Sequence, residues 1–319
     1  MIFFIIAIAS LLIDAIVGVY NKHLVLKQDG DAPLHMYIWF SIWCCVCIVI
    51  LYAFGLSETG LPPWMILAET PAILYSSLCT VLYLISYCFC LRYITLTMAE
   101  TIIAIEPACI MIGMIWIYLN MGKMAGVKEL LNIRNGIPLI IMLISAFILT
   151  LISKDKSNAE TKNVDKILSD AHQNKYLCLG VLIAIACTIF DCGDSLISAF
   201  TLTESQIGSY DFMIGYEFMA IIAGIIVYAY LYKKNKSFYN PFRKTEIPKS
   251  ICATSQFVVD VLYVMAVDMD AVKYEVMWAA YPILPIIMAR LLLKEKCTWK
   301  QYVCITIVLV MSFWLSINK

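Results

Sequence analysis

Between Ile2 and Tyr20 the chain offers one charged side chain, Asp14, and apolar blocks of this kind recur along the whole sequence. Each is about 20 residues long, the length a helix needs to cross roughly 30 Å of hydrocarbon. Lipid supplies no partner for a peptide N–H or C=O, so a spanning chain must be helical or a closed barrel. Barrel strands alternate polar and apolar residues over about ten positions. Runs such as Leu139–Ile144 and Ile307–Met311 do not alternate, which leaves helices. Composition removes the remaining choice, a soluble helical fold. Charged residues make up 14% of the chain, 62% are apolar and the mean hydropathy is +0.84, where soluble domains carry about 25% charged residues.

Ten spans are expected, over residues 2–24, 34–55, 65–91, 94–119, 135–153, 176–200, 207–232, 249–267, 271–293 and 300–317. Breakers such as Asp29-Gly30-Asp31-Ala32-Pro33, Leu61-Pro62-Pro63 and Asn240-Pro241 separate them. The first block lacks a preceding positive charge and a small-residue cleavage site, so it is expected to be a retained helix rather than a signal peptide. Residues 154–175 are charged and poor in large apolar side chains, which makes them a linker between residues 1–153 and 176–319. Of 23 lysines and arginines, eighteen fall in or beside loops that follow odd-numbered spans. Positive charge marks the cytoplasmic side, so both termini are expected outside, in a multi-pass protein of the plasma (inner) membrane. The 23 acids balance the 23 bases and suggest no nucleic-acid partner. Thirteen cysteines, mostly inside apolar blocks, lack the spacing of a disulfide set or a zinc site and read as packing residues.

The two halves are related. Ile6-Ala7-Ile8-Ala9 with Asp14 matches Ile183-Ala184-Ile185-Ala186 with Asp191. Ile50–Phe54 resembles Ile226–Tyr230, and Glu100, Ala104 and Pro107 match Glu275, Ala279 and Pro282. Leu143, Phe147 and Leu149 correspond to Leu309, Phe313 and Leu315. The first three sets share an offset of 175 to 177 residues, and the fourth has an offset of 166. Five spans per half would make the copies run in opposite directions, a recurring plan of secondary transporters with a site near the midplane.

The stretch from Pro282 to Leu309, with Leu293-Lys294-Glu295-Lys296-Cys297-Thr298-Trp299 leading into the last span, resembles the EamA-type transporters of the drug/metabolite transporter superfamily. That family's pattern is a proline helix followed by Leu-Gly-Glu-x-x-Thr, and Lys294 stands here where glycine is usual. The first half keeps Pro107 but has Asn120-Met121-Gly122-Lys123 in place of the glutamate. The resemblance covers the whole chain in span count and repeat. It implies secondary-active movement of small metabolites, often export of amino acids, related compounds or drugs. Members usually keep both termini in the cytoplasm, opposite to the charge count here.

Acids inside hydrocarbon are expensive and usually face the bundle interior. Asp14 and Asp191 lie near the middle of spans one and six at equivalent repeat positions; Glu100 and Glu275 are a second matched pair. Glu106, Glu217 and Asp260 complete the candidate set for binding an amino or cationic group or a proton, and Asp211 marks the mouth of span seven. Ser10, Gly18 and Asn21 share a face with Asp14; Cys187, Asp194 and Ser198 share one with Asp191. Pro107 and Pro282 are candidate hinges, and Tyr83, Tyr87, Tyr216, Tyr263 and Tyr281 are candidate hydroxyl or ring partners. No Gly-rich phosphate loop, nucleophile elbow or H-E-x-x-H pair occurs, so no catalytic residue, metal or cofactor is assigned. The expected partners are a small solute, protons and the bilayer. Two other readings are a lipid-acting membrane enzyme using Glu100 and Glu106, about 120° apart on a helix, and a non-transporting assembly factor.

Overall fold

The computed structural model describes residues 2–27, 31–94, 96–103, 106–124, 127–130, 136–138, 140–141, 144–145, 148, 170–205, 207–278, 281, 283–292 and 299–317. Its helices are α1 (Ile2–Lys27), α2 (Ala32–Ala53), α3 (Pro63–Glu69), α4 (Pro71–Tyr93), α5 (Leu96–Ile103), α6 (Glu106–Met121) and α7 (Val127–Leu130). They continue with α8 (Asp170–Glu204), α9 (Ser209–Asn235), α10 (Ile247–Trp278, preceded by a 3-10 turn at Lys244–Glu246), α11 (Ile283–Leu292) and α12 (Trp299–Ile317). No strand occurs among the described residues. Six helical segments are long and apolar enough to cross a membrane: Ile2–Leu24, Ala32–Ala53, Pro71–Tyr93, Cys178–Glu204, Ser209–Asn235 and Lys244–Trp278. Cys109–Met121 is a shorter apolar helix. The protein is an all-α polytopic membrane protein.

The helices are sided for lipid rather than water. On α1 the outward stripe is Ile5, Ile8, Leu12 and Ile16, while Ala7, Ser10, Asp14 and Asn21 are buried. A soluble amphipathic helix has the opposite sidedness. Small and polar residues at the contacts are what membrane helices use to approach and bond one another.

Helix ends follow local chemistry. α2 stops in a Schellman turn: Gly55 has φ +63°, its N–H bonds Tyr52 O, and the Leu56 N–H bonds Leu51 O. Pro62 and Pro63 then open α3. The boundary expected between residues 267 and 271 falls on Asp270, where extended backbone (φ −167°, ψ 86°) interrupts α10. Span 94–119 is represented by α5 and α6, with residues 104–105 outside the described set. Most of span 135–153 and of the linker also lies outside it, but Asp170–Lys175 of the linker belongs to α8. The helix formers Ala171, Gln173 and Lys175 favour that extension.

The chain divides into two compact units, Met1–Ile85 with Gly193–Ala271, and Ser86–Cys192 with Val272–Lys319. Each unit draws on both sequence halves. In the first, α2 and α9 are antiparallel: Asp31 meets Lys234 at one end, Ser57 meets Asp211 at the other, and Cys47 Sγ lies 3.7 Å from Met213 Sδ between them. The close approach depends on Ala220 and Gly224. Tyr37 OH and Ser41 Oγ both donate to Ala220 O, at 3.2 and 3.1 Å, and a Cβ on Gly224 would lie 2.1 Å from Ser41 Oγ. In the second unit α5 packs against α11.

Candidate functional site

In the first unit a carboxylate and five hydroxyls form one buried cluster. Asp194, on α8, accepts hydrogen bonds from Ser76 Oγ (2.5 Å) and Ser198 Oγ (3.1 Å) on one oxygen, and from Tyr216 OH (2.9 Å) on the other. Ser76 and Ser198 are 2.6 Å apart, Thr80 bonds Tyr216 OH, and Ser77 Oγ donates to Tyr216 O at 2.6 Å. Helical spacing builds this arrangement: Ser76 and Thr80 are one turn apart on α4, as are Asp194 and Ser198 on α8. Every hydroxyl proton in the cluster has an acceptor. The sequence placed Asp194 and Ser198 on the face of Asp191 without making Asp194 a site residue; the signal that identifies it is the matching hydroxyl pair on α4.

Glu217 and Asp260 are built differently. Glu217, 1% exposed, is bonded by the Cys44 thiol, but its Oε2 is buried with no hydrogen-bond partner. Asp260 receives a 3.4 Å contact from Gln256 Nε2 on one oxygen, and its other oxygen is also buried and unpartnered. The charges acting most strongly on Asp260 are those of Glu217, then Asp194, then Asp14, all carboxylates. Tyr37 lies within electrostatic reach of Glu217 and Asp260, and Tyr216 within reach of Asp194 and Asp260. Three sequence candidates, Asp14, Glu217 and Asp260, therefore share the first unit with Asp194.

The other four, Glu100, Glu106, Asp191 and Glu275, belong to the second unit and are all buried. Tyr87 OH donates to Glu100 Oε1 at 2.5 Å, and the Trp278 indole N–H donates to Glu106 Oε2 at 3.0 Å. Trp278 stacks on Tyr281 with ring centroids 4.4 Å apart and planes 2° from parallel. The Cys187 thiol lies within electrostatic reach of Asp191, Glu100 and Glu106. Pro107 lies on α6, beside residues 104–105, which are outside the described set, as is Pro282.

Asp211 is a clamp. Fully buried at the first turn of α9, it accepts bonds from Ser57 Oγ (2.6 Å) and the Thr59 N–H (2.9 Å). A cavity of about 230 Å³ opens beside it, lined by Glu69, Thr59, Thr70, Ser205, Ile66, Leu61, Ile207 and Asp211. This end of the first unit carries Glu58, Glu69, Glu204 and Asp211, whereas the opposite end carries Lys233, Lys234, Lys236, Arg243, Lys244 and Lys249.

The fold and these buried acids define a polytopic helical membrane protein with two groups of intramembrane carboxylates. No protein-family model matches the chain, and no curated protein matches it. Among solved structures 23 chains match. One, described only as "Crystal structure of protein", aligns with a TM-score of 0.61 at 12% identity, over 99% of this chain and 96% of its own. At that identity the likeness is one of fold.

Proposed function

We propose that the protein is a secondary-active transporter of small metabolites, built from ten spans in two inverted five-helix repeats. One observation carries the reading: in the first unit Glu217 and Asp260 keep buried carboxylate oxygens without hydrogen-bond partners, and the strongest charges on Asp260 are other acids. Buried charge is costly unless paired. A group of acids held in this way stores affinity for a proton or for the amino or cationic group of a solute. Loading that partner relieves the repulsion, and releasing it restores the empty state, which is the cycle an exchanger needs. The resemblance to EamA-type transporters supports a solute of amino-acid character moving outward. The 18-to-5 distribution of basic residues supports a basic end in the cytoplasm, with both termini outside the plasma (inner) membrane.

The test is flux in liposomes holding the purified protein, with and without a pH gradient, across a panel of amino acids and organic amines. Solute movement driven by the gradient is expected. Glu217→Gln and Asp260→Asn, each checked for native helicity, are expected to lower it at least as far as Asp14→Asn and Asp191→Asn. Full flux in both Glu217→Gln and Asp260→Asn would remove these acids from the mechanism. No flux for any solute would favour an assembly factor, and product formation without net flux an enzyme.

A further inference from the structure

The connection from α9 to α10 presents a charged and aromatic surface that the transport reading does not use. α9 has 27 residues, and at 1.5 Å per residue it is about 40 Å long, against a hydrocarbon core of roughly 30 Å. The helix is thus longer than the hydrocarbon core needs, and its last turn carries the charges of Lys233 and Lys234, which favour the headgroup region. The helix ends at Lys236, whose left-handed backbone (φ 51°) turns the chain toward α10.

Beyond that turn one ring faces inward and two face outward. Tyr239 stacks on His35 with centroids 4.0 Å apart and planes 5° from parallel, and its hydroxyl donates to Glu246 Oε2 at 2.7 Å. Pinned in this way, the segment leaves Phe238 73% and Phe242 74% exposed, with one edge of Phe242 against Trp39. The local acids are already engaged. Asp31 takes Lys234 at 2.5 Å, and Glu246 takes Lys249 at 2.6 Å. Lys233, Lys236, Arg243 and Lys244 are exposed, and their side chains have no ion-pair or hydrogen-bond partner among the described residues. Four uncompensated cations and two exposed phenyl rings thus lie on one short segment.

We propose that residues 232–246 form a docking surface for anionic phospholipid headgroups, the phosphodiesters neutralising Lys233, Lys236, Arg243 and Lys244 while Phe238 and Phe242 enter the acyl boundary. Basic residues beside an anionic leaflet and aromatic rings at the interface are the two elements of such contacts. A zwitterionic headgroup offers no net charge to this surface. A soluble anion has no use for the rings.

The full chain is purified in detergent and placed in nanodiscs of phosphatidylcholine with an equal amount of phosphatidylglycerol. Lipids that stay with the protein on release into the gas phase are counted by native mass spectrometry. Enrichment of phosphatidylglycerol on the order of tenfold is expected, since each basic residue near an anionic surface is worth roughly fivefold in affinity and the four share the same lipids. The enrichment should shrink at molar salt. It should vanish when all four cations become Gln, persist when the three lysines become Arg, and fall when Phe238 and Phe242 become Ser. The Lys→Arg variant, which replaces the lysine side chains but keeps their charge, separates loss of charge from loss of fold. Equal enrichment in the four-Gln variant would overturn the proposal. So would displacement of the lipid by inorganic phosphate combined with indifference to the two Ser substitutions, which would identify a soluble-anion site.

Discussion

Gly224→Ala is a severe test of how α2 meets α9. The new Cβ would lie 2.1 Å from Ser41 Oγ and 2.4 Å from Ser41 Cβ, where unbonded heavy atoms sit about 3.5–4.0 Å apart. Rotating the serine removes the first clash but not the second, so the helices must separate by more than about 1 Å locally. The bonds from Tyr37 OH and Ser41 Oγ to Ala220 O, already 3.2 and 3.1 Å long, would then be lost. Overpacking costs about 1–3 kcal/mol, and each interhelical hydrogen bond in a membrane adds about 0.6 kcal/mol. The expected destabilisation is therefore roughly 2–4 kcal/mol. Ser41→Gly removes both clashing atoms and leaves the Ser41 Cα at an ordinary 3.9 Å. Alone it costs about 1 kcal/mol in helix propensity, plus its hydrogen bond. The double variant should be no less stable than Ser41→Gly alone, to within about 0.5 kcal/mol. Unfolding in mixed micelles with rising dodecyl sulfate, followed by circular dichroism, measures all four proteins. Simple addition of the two penalties would refute the close approach at this crossing.

The Asp194 cluster makes a graded prediction in the same assay. Asp194→Leu strands three hydroxyls and is expected to cost about 3 kcal/mol, whereas Asp194→Asn keeps one acceptor oxygen and costs about 1 kcal/mol; the reverse order would contradict the network. Asp211→Ala should release the Ser57–Gly60 turn, seen as faster amide exchange at Thr59 and a loss of about 1–2 kcal/mol. Burial raises the Asp31 carboxyl, but Lys234 and Asn235 outweigh it and hold it below its ordinary value. Its contribution to stability is therefore complete above the unfolded value of about 3.9 and lost as pH falls through the lower folded value. Asp31→Asn should flatten the stability profile in that acid window, and an unchanged profile would show that the Lys234 pair contributes nothing there.

The membrane class was legible because lipid leaves so few alternatives. Apolar blocks gave the helices, and the polar gap at Asp268–Asp270 anticipated the interruption at Asp270. Hydropathy placed the sixth span from residue 176, close to the apolar segment Cys178–Glu204, and does not register that helix continues back through the polar residues Asp170–Lys175. The seven candidate acids were visible as charges in apolar surroundings, but their sorting was not. That Asp14, Glu217 and Asp260 belong to one compact unit, and Glu100, Glu106, Asp191 and Glu275 to another, depends on which helices pack together. Asp194 passed as a neighbour of Asp191, since two of the three hydroxyls that engage it, those of Ser76 and Tyr216, come from α4 and α9. A helical period reveals the face of one helix; it does not name the helix opposite.

The bond between Trp278 and Glu106 has a consequence for observation. An indole whose N–H points at a carboxylate oxygen 3.0 Å away has its emission tuned by the charge on that oxygen. In a chain whose other tryptophans, out of seven in all, are replaced by Phe, arrival of a proton or a cation at Glu106 would register as a spectral shift. The second group of acids thus carries its own optical reporter, readable in real time and without a label.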